Sequence, residues 1–359
     1  MTPPETEYSG SEATINLNSL NKNLEFLKQK SGKENVIAVV KANAYGHGAL
    51  SISKHLEEKV SQLAVASVDE GIQLRKAGIE LPILVFGVPS HANAAAYSRY
   101  RLTATVSHPG HFSLLPAGTG YHLNFDTGMR RVGLFPSQVE EVLQAMQKHK
   151  DIDCRGIYSH YATADDPGSE YVQTQHELFT EIRAQFPTEI PAHMSNSAAV
   201  LHYDVDHFEW IRVGIGLMGY APGKTQPDGL IPALNWTTHA VMIRKINTGD
   251  RVSYGGTWRA PYAGYLATLP VGYADGIPRV LSNRLHVKIG EKMFPVVGNV
   301  TMDYCMVFLG EKRIKTGSVV HLMGRHGWPA NTWAELANSI THEILCRLTP
   351  RVRRRYQSV

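Results

Sequence analysis

The stretch VIAVVKANAYGHG, Val36–Gly48, carries the reading from which the rest of the chain follows. Its first part, Val36–Lys41, is apolar and mostly β-branched without alternation, the pattern of a strand buried on both faces of a parallel sheet. Lys41 ends the run, and Gly46 and Gly48 permit a tight turn before the next helix. Outward from this strand the same rhythm repeats. Leu63–Ser67, Ile83–Phe86, Thr103–Val106, His122–Phe125, Gly156–His160, Ala192–Ser195 and Trp210–Val213 read as seven further strands. Helical patterns such as Ser137–Lys148 and Tyr171–Gln185 lie between them. Strands alternating with helices in this way predict an α/β fold, a closed parallel (β/α)8 TIM-type barrel over residues 12–232.

From about Leu234 the texture changes. Tyr265–Leu269, His286–Ile289, Pro295–Val297, Cys305–Phe308 and Ser318–Leu322 are short strands broken by Gly, Asp and Asn, and a helical pattern returns at Trp333–Leu345. A second, mainly β domain is expected over residues 233–359, with residues 1–11 a candidate addition to it. With 359 residues, 43% of them hydrophobic, the chain has apolar material for two cores.

The net charge of +4 is mildly basic. Part of it sits in Arg351, Arg353, Arg354 and Arg355, a run that reads as a solvated tail or as salt bridges to a partner subunit rather than a nucleic-acid surface. No stretch approaches the ~20 apolar residues of a membrane span. The start, MTPPETEYSG, is acidic and lacks an apolar core, unlike a secretory signal, so a cytoplasmic location is expected. Cys154, Cys305 and Cys346 lie far apart without metal-ligand spacing, which reads as reduced thiols and no metal site.

In a barrel of this kind the active site is built at the C-terminal ends of the strands. Those ends carry Lys41, Arg131 just after the fifth strand, His160, Asn196–Ser197 and Arg212–Gly214. Each has an ordinary reading when taken singly: a lysine after a strand snorkels, and a lone histidine is a satisfied core residue. Together on one rim they point to chemistry. The strand buries the stem of Lys41 and leaves its amine where charge is disfavoured, as a Schiff-base lysine requires. The Tyr45 hydroxyl follows where a phosphate could meet it. A second phosphate half-site follows strands seven and eight, with Ser197 at a helix start, Gly214 and Ile215 allowing close backbone approach, and Arg212 pointing inward. A ligand with a phosphate at one end and an aldehyde at the other satisfies both halves, and pyridoxal phosphate has that form.

On these residues the chain resembles the alanine racemase family over nearly its whole length. The resemblance runs through VVKANAYGHG (Val39–Gly48), DTGMRRVG (Asp126–Gly133), SHYATAD (Ser159–Asp165) and HMSNSAA (His193–Ala199). It continues through RVGIGLMGY (Arg212–Tyr220), VSYGGT (Val252–Thr257), VGYADG (Val271–Gly276) and GNVTMD (Gly298–Asp303). It implies that Lys41 holds the cofactor covalently and exchanges the α-proton on the D-alanine face, while Tyr254 does so on the L face. Racemisation needs two bases on opposite faces. His160 would lie between Tyr254 and Arg212, and Arg212 would face the pyridine nitrogen. Because arginine keeps its proton, that nitrogen would stay unprotonated, a weaker electron sink that suppresses transamination. Arg131 would approach the cofactor's phenolic oxygen and the substrate carboxylate. Met302, through its backbone amide, and Asp303 would close the far side of the pocket, and Tyr273 would narrow its entrance. The resemblance also implies a head-to-tail homodimer, and D-alanine made for peptidoglycan or consumed in catabolism.

Two positions depart from the family. Many members carry a carbamylated lysine where this chain has Asn124, whose neutral amide could accept a hydrogen bond from Arg131 without any carbamate. Where some relatives place a phosphate-binding tyrosine, Pro350 stands here. Three rivals share features of this reading. A decarboxylase of basic amino acids would use a catalytic cysteine, and Cys305 lies close to Met302–Asp303, but its expected glycine run is missing. A non-catalytic cofactor carrier leaves Tyr254 and the β domain unexplained. A serine or broad-specificity racemase differs only in a few pocket residues.

Overall fold

Val36–Val39 is a strand with all four residues buried. In this computed structural model, which describes residues 10–223 and 226–358, it is hydrogen-bonded in parallel to Gln62–Val65 on one side and Ile211–Val213 on the other. Gln62–Val65 pairs with Ile83–Val85, and a bridge from Leu84 to Thr103 leads to Ala104–Val106. Gly120–Asn124, Asp153–Tyr158 and Ala192–His193 follow in order, and a bridge from His193 to Trp210 returns to Ile211–Val213. All these pairings are parallel, so the expected strands close into a barrel. Burial on both faces explains why strands such as Val36–Val39 and Ile83–Val85 read as unbroken hydrophobic runs.

The helices follow local rules. Val68–Lys76 begins at Ser67, whose hydroxyl accepts from the Glu70 amide at 3.2 Å, with Asp69 and Glu70 in the first turn. Val139–Lys148 lies within the predicted Ser137–Lys148, and Glu170–Arg183 begins one residue before the predicted Tyr171–Gln185 and ends two residues short of it. The segment after Ala104–Val106 forms a short 3-10 helix, Pro109–Leu114, in place of an α-helix, with His108 capping Gly110.

The chain divides into two units, Asn21–Leu230 and the residues before and after it. The expected barrel start at residue 12 is corrected. Glu12–Asn16 is a strand of the second unit, antiparallel to Leu234–His239 and parallel to Arg353–Gln357. The amino-terminal readings, no secretory signal and a join to the β domain, fall mostly on residues 1–9, which lie outside the described residues.

The second unit is built on a nine-stranded sheet. In order, its strands are Met242–Ile246, Gly264–Leu269, Cys305–Gly310, Lys292–Val297, His286–Ile289, Val319–Met323, Leu234–His239, Glu12–Asn16 and Arg353–Gln357. Leu234–His239 alternates buried and half-buried residues, and its Trp236 packs against Trp333 with ring centroids 5.8 Å apart. The single helix expected at Trp333–Leu345 is two, Ala330–Ala337 and Thr341–Cys346, broken where Asn338 takes a left-handed φ of 51°.

The arginine-rich end is corrected as well. Arg353–Gln357 is an edge strand, and Arg351 pairs with Asp275 at 3.3 Å and Asp303 at 2.9 Å. Arg354 donates to the carbonyls of Thr349, Val352 and Leu348. These arginines serve their own chain rather than forming a solvated tail. Among the described residues no helix is long and apolar enough to cross a membrane, and no cluster of three or more His, Cys, Asp or Glu could hold a metal ion.

Candidate active site

Lys41 follows its strand directly and opens an unusual turn. Ala42, Asn43, Ala44 and Tyr45 all have φ between 50° and 54°, a left-handed helical turn made without glycine. It is closed by bonds from the Ala44 amide to the Val40 carbonyl at 2.9 Å and from the Gly46 amide to the Ala42 carbonyl at 3.0 Å. L-residues in this conformation cost roughly 1–2 kcal/mol each, so the turn stores on the order of 4–8 kcal/mol. Glu70 offsets part of this. One carboxylate oxygen accepts from the Ala42 amide at 2.6 Å and the other from the Ala66 amide at 2.7 Å, tying the ends of two adjacent strands together. Asn43 Oδ1 accepts from the Ala49 amide at 2.8 Å and caps the following helix. Sequence reasoning missed Glu70. Its signal was only the helix-start pattern around Ser67, which does not reveal a carboxylate reaching back to another strand.

The parallel register aligns Ile37 with Arg212 and Ala38 with Val213, which brings the Lys41 turn beside the Arg212–Gly214 segment. A Cβ on Gly214 would lie 2.3 Å from the Tyr45 hydroxyl oxygen, so only glycine leaves room for that hydroxyl. Ser197, buried at the first position of Ser197–His202, accepts from the Gly214 and Gly216 amides at 3.1 and 3.2 Å. Asn196 caps that helix, accepting from the Ala199 amide at 2.9 Å. Buried Ile215 completes the turn. The Lys41 Nζ lies 5.9 Å from the Phe86 ring centroid.

Arg212 is 3% exposed, yet its guanidinium is richly bonded. Nη1 donates to the His193 carbonyl at 2.9 Å and to His193 Nδ1 at 2.7 Å. Nη2 donates to the carbonyls of Ser159 and Met194 and to His160 Nδ1 at 3.0 Å. Burial pushes this guanidinium down to about 10, and it still carries its charge at neutral pH. Arginine only donates, so Nδ1 of both histidines must accept and each ring keeps its hydrogen on Nε2. His193 Nε2 is 2.8 Å from His122 Nδ1, which must accept in turn. Burial first, then the Arg212 charge, holds His160 and His193 well below the usual histidine range. His193 also stacks on Tyr158, with centroids 4.9 Å apart and planes 8° from parallel.

Arg131 is exposed on the loop that follows Gly120–Asn124. That loop is fixed by Asp126, whose Oδ1 accepts from the Gly128 and Arg130 amides at 2.8 and 3.1 Å. The expected bond from Arg131 to the Asn124 amide oxygen does not form among the described residues. Asn124 Nδ2 donates to Ser107 Oγ at 3.2 Å and to the Val132 carbonyl at 3.3 Å. The buried amide therefore braces the loop backbone beside Arg131.

Tyr254, Tyr273, Met302 and Asp303 belong to the second unit. Tyr254 is 74% exposed, Met302 52% and Tyr273 38%, unusual for large apolar side chains. The Tyr273 amide donates to the Thr301 carbonyl at 3.0 Å and the Ala274 amide to the Met302 carbonyl at 3.0 Å, so VGYADG and GNVTMD form one surface. Asp303 is held by Arg351. Cys305 is fully buried and its thiol is pushed up to about 12, a poor setting for a reactive thiolate.

A parallel barrel with a lysine, an arginine–histidine pair and a hydroxyl-and-glycine cradle on its rim, joined to a mainly antiparallel β unit, defines a two-unit (β/α)8-barrel enzyme. Residues 15–222 match the alanine racemase N-terminal domain and residues 233–356 the alanine racemase C-terminal domain. The chain belongs to the alanine racemase family. It is 37% identical to the alanine racemase of Symbiobacterium thermophilum, over 96% of each chain. It is 36% identical to alanine racemase 2 of Bacillus subtilis, over 95% of this chain and 93% of that one. Among solved structures, the alanine racemase of Clostridium difficile 630 superposes with a TM-score of 0.91 at 32% identity, covering 98% of this chain and 96% of that one. That of Bartonella henselae, with covalently bound pyridoxal phosphate, superposes at 0.89 with 27% identity, covering 98% of this chain and all of that one.

Proposed function

We propose that this chain interconverts L- and D-alanine with pyridoxal phosphate held at the barrel rim. The observation that carries the reading is the closure of the barrel, which sets Lys41 and Tyr45 against Arg212 and Gly214 although the two segments are far apart in sequence. The residues fit the cofactor. The Tyr45 hydroxyl, Ser197 and the backbone of Gly214 and Ile215 suit its phosphate, with Asn196 and His160 beside them. Among the described residues, the hydrogen bonds of Arg212 run through Nη1 and Nη2. Its Nε–H remains to serve a ring nitrogen, which must then be an acceptor.

When bound, the cofactor supplies an electron sink for the pair left at the substrate's α-carbon. Lys41 accepts the α-proton on one face and returns it in the reverse direction. Tyr254 of the partner subunit does the same on the opposite face. His160, neutral with its hydrogen on Nε2, steadies the tyrosine oxygen as a hydrogen-bond donor rather than as a cation. Arg131 takes the substrate carboxylate, while Met302, Asp303 and Tyr273 bound the pocket. The exposure of Tyr254, Tyr273 and Met302 supports a head-to-tail homodimer that covers them. The reading takes the enzyme as cytoplasmic, making D-alanine for peptidoglycan or consuming it.

Deuterium wash-in from D2O tests it. Wild type should exchange the α-proton of both isomers, Tyr254→Phe should lose mainly exchange starting from L-alanine, and Lys41→Ala should lose nearly all. A wild type that binds the cofactor yet exchanges no α-proton of alanine would sink the proposal.

A further inference from the structure

The tyrosine loop of the second unit is held in a way that its sequence does not require. Ser253, immediately before Tyr254, has φ 63° and ψ −175°, a region that is essentially confined to glycine. Strain of this kind persists only where the surroundings over-determine it. Here they do so from both sides. Ser253 Oγ donates to the Asn299 carbonyl at 2.6 Å, and Asn299 Nδ2 donates back to the Tyr254 carbonyl at 2.8 Å. The Gly256 amide closes the turn on the Ser253 carbonyl at 3.1 Å.

The partner segment is itself fixed. The Gly298 amide donates to Asn283 Oδ1 at 2.6 Å, and the Val300 amide to Ser282 Oγ at 3.0 Å. Asn283 Nδ2 reaches over to Thr257 Oγ1 at 3.1 Å. A Cβ on Gly298 would lie 2.7 Å from the Val252 carbonyl oxygen and 2.8 Å from the Ser253 Cβ, so glycine is what lets the two segments approach. Beneath them, Val252 and Val297 are buried with Leu266 and Phe308, and Trp258 packs against the same cluster. Within its own chain Tyr254 is largely exposed, so little packing from that chain orients its ring and the backbone sets its aim.

We propose that Ser253 and Asn299 are positioning residues that clasp the Tyr254 loop and hold the hydroxyl in line for proton exchange on the L face. The proposal rests on the reading of Tyr254 as that base. It assigns the strain at Ser253 a function: a relaxed loop would point the tyrosine elsewhere.

The test uses holoenzyme variants Asn299→Ala, Asn299→Asp and Ser253→Gly, with Tyr254→Phe as reference. Asn299→Asp keeps the shape but cannot donate when ionised, so it should behave like Asn299→Ala. Both should slow exchange starting from L-alanine by about tenfold to a hundredfold. Exchange starting from D-alanine and KM should change far less, and backbone hydrogen exchange over residues 252–257 should accelerate. Ser253→Gly relieves the strained position, so its Tm should hold or rise while L-directed exchange still falls. L-directed exchange near the wild-type rate in both Asn299 variants and in Ser253→Gly, with Tyr254→Phe impaired, overturns the clasp alone. Retained L-directed exchange in Tyr254→Phe overturns the base assignment and the clasp with it.

Discussion

Arg212 and His193 are joined twice, Nη1 donating both to the ring nitrogen Nδ1 at 2.7 Å and to the backbone carbonyl at 2.9 Å. The contact orders a line of buried rings. Because the arginine can only donate, His193 must donate through Nε2 to His122 Nδ1. His122 is then left with its hydrogen on Nε2, which finds no partner among the described residues. An unpartnered buried donor costs about 1–3 kcal/mol, so the barrel gives up some stability to hold the guanidinium plane.

This line makes stability depend on pH. Burial, followed by the Arg212 charge, pushes His122 down to about 3 from its ordinary 6.5. Between those values the unfolded chain binds a proton that the folded chain refuses. The stabilising contribution is complete above the unfolded value and is lost as pH falls towards the folded one, at up to about 1.4 kcal/mol per pH unit. Calorimetric proton uptake on unfolding at pH 5.5 should therefore be smaller in His122→Asn than in wild type, by about one proton. Equal uptake would contradict the assignment.

The Gly214 position predicts a cofactor defect. A methyl group there meets the Tyr45 hydroxyl, and Tyr45 cannot simply retreat, because it sits at φ 50° in the strained turn. Gly214→Ala should weaken pyridoxal phosphate binding at least tenfold, about 1.4 kcal/mol, in a spectrophotometric titration. In a Tyr45→Ala background the same substitution should add little, since the two effects share one contact.

Glu70, bonded to the amide next to Lys41, predicts a stability defect. Glutamine retains one acceptor and turns an amino group towards the other backbone amide, so Glu70→Gln should destabilise the protein by about 2 kcal/mol or more. Denaturant unfolding measures this. Loss of cofactor affinity should accompany it, because the Lys41 turn depends on the bond to Ala42.

Asn124 predicts independence from carbon dioxide. Its amide cannot form a carbamate, and its NH2 group is committed to Ser107 and Val132. Racemisation rates in bicarbonate-free and bicarbonate-supplemented buffer should coincide. An accelerating effect of bicarbonate would overturn this reading of Asn124.

Much of this protein was legible in its residues. The unbroken apolar run ending at Lys41 reads as a parallel strand because burial on both faces leaves no alternation, and the strand ends of a closed barrel, which here carry Lys41, His160 and Arg212, define one rim. The motifs around Lys41 and Tyr254 carried the family and hence the chemistry. Other features depended on partners distant in sequence. Glu12–Asn16 and Arg353–Gln357 are strands because they pair with each other across the length of the chain. The left-handed turn from Ala42 to Tyr45 contradicts local preference, and Glu70 is one of the contacts that hold it. Ser253 occupies a glycine-like conformation with Asn299 bonded on either side of it. Composition and periodicity report what a residue prefers alone, whereas strain and long-range pairing exist only once distant segments meet.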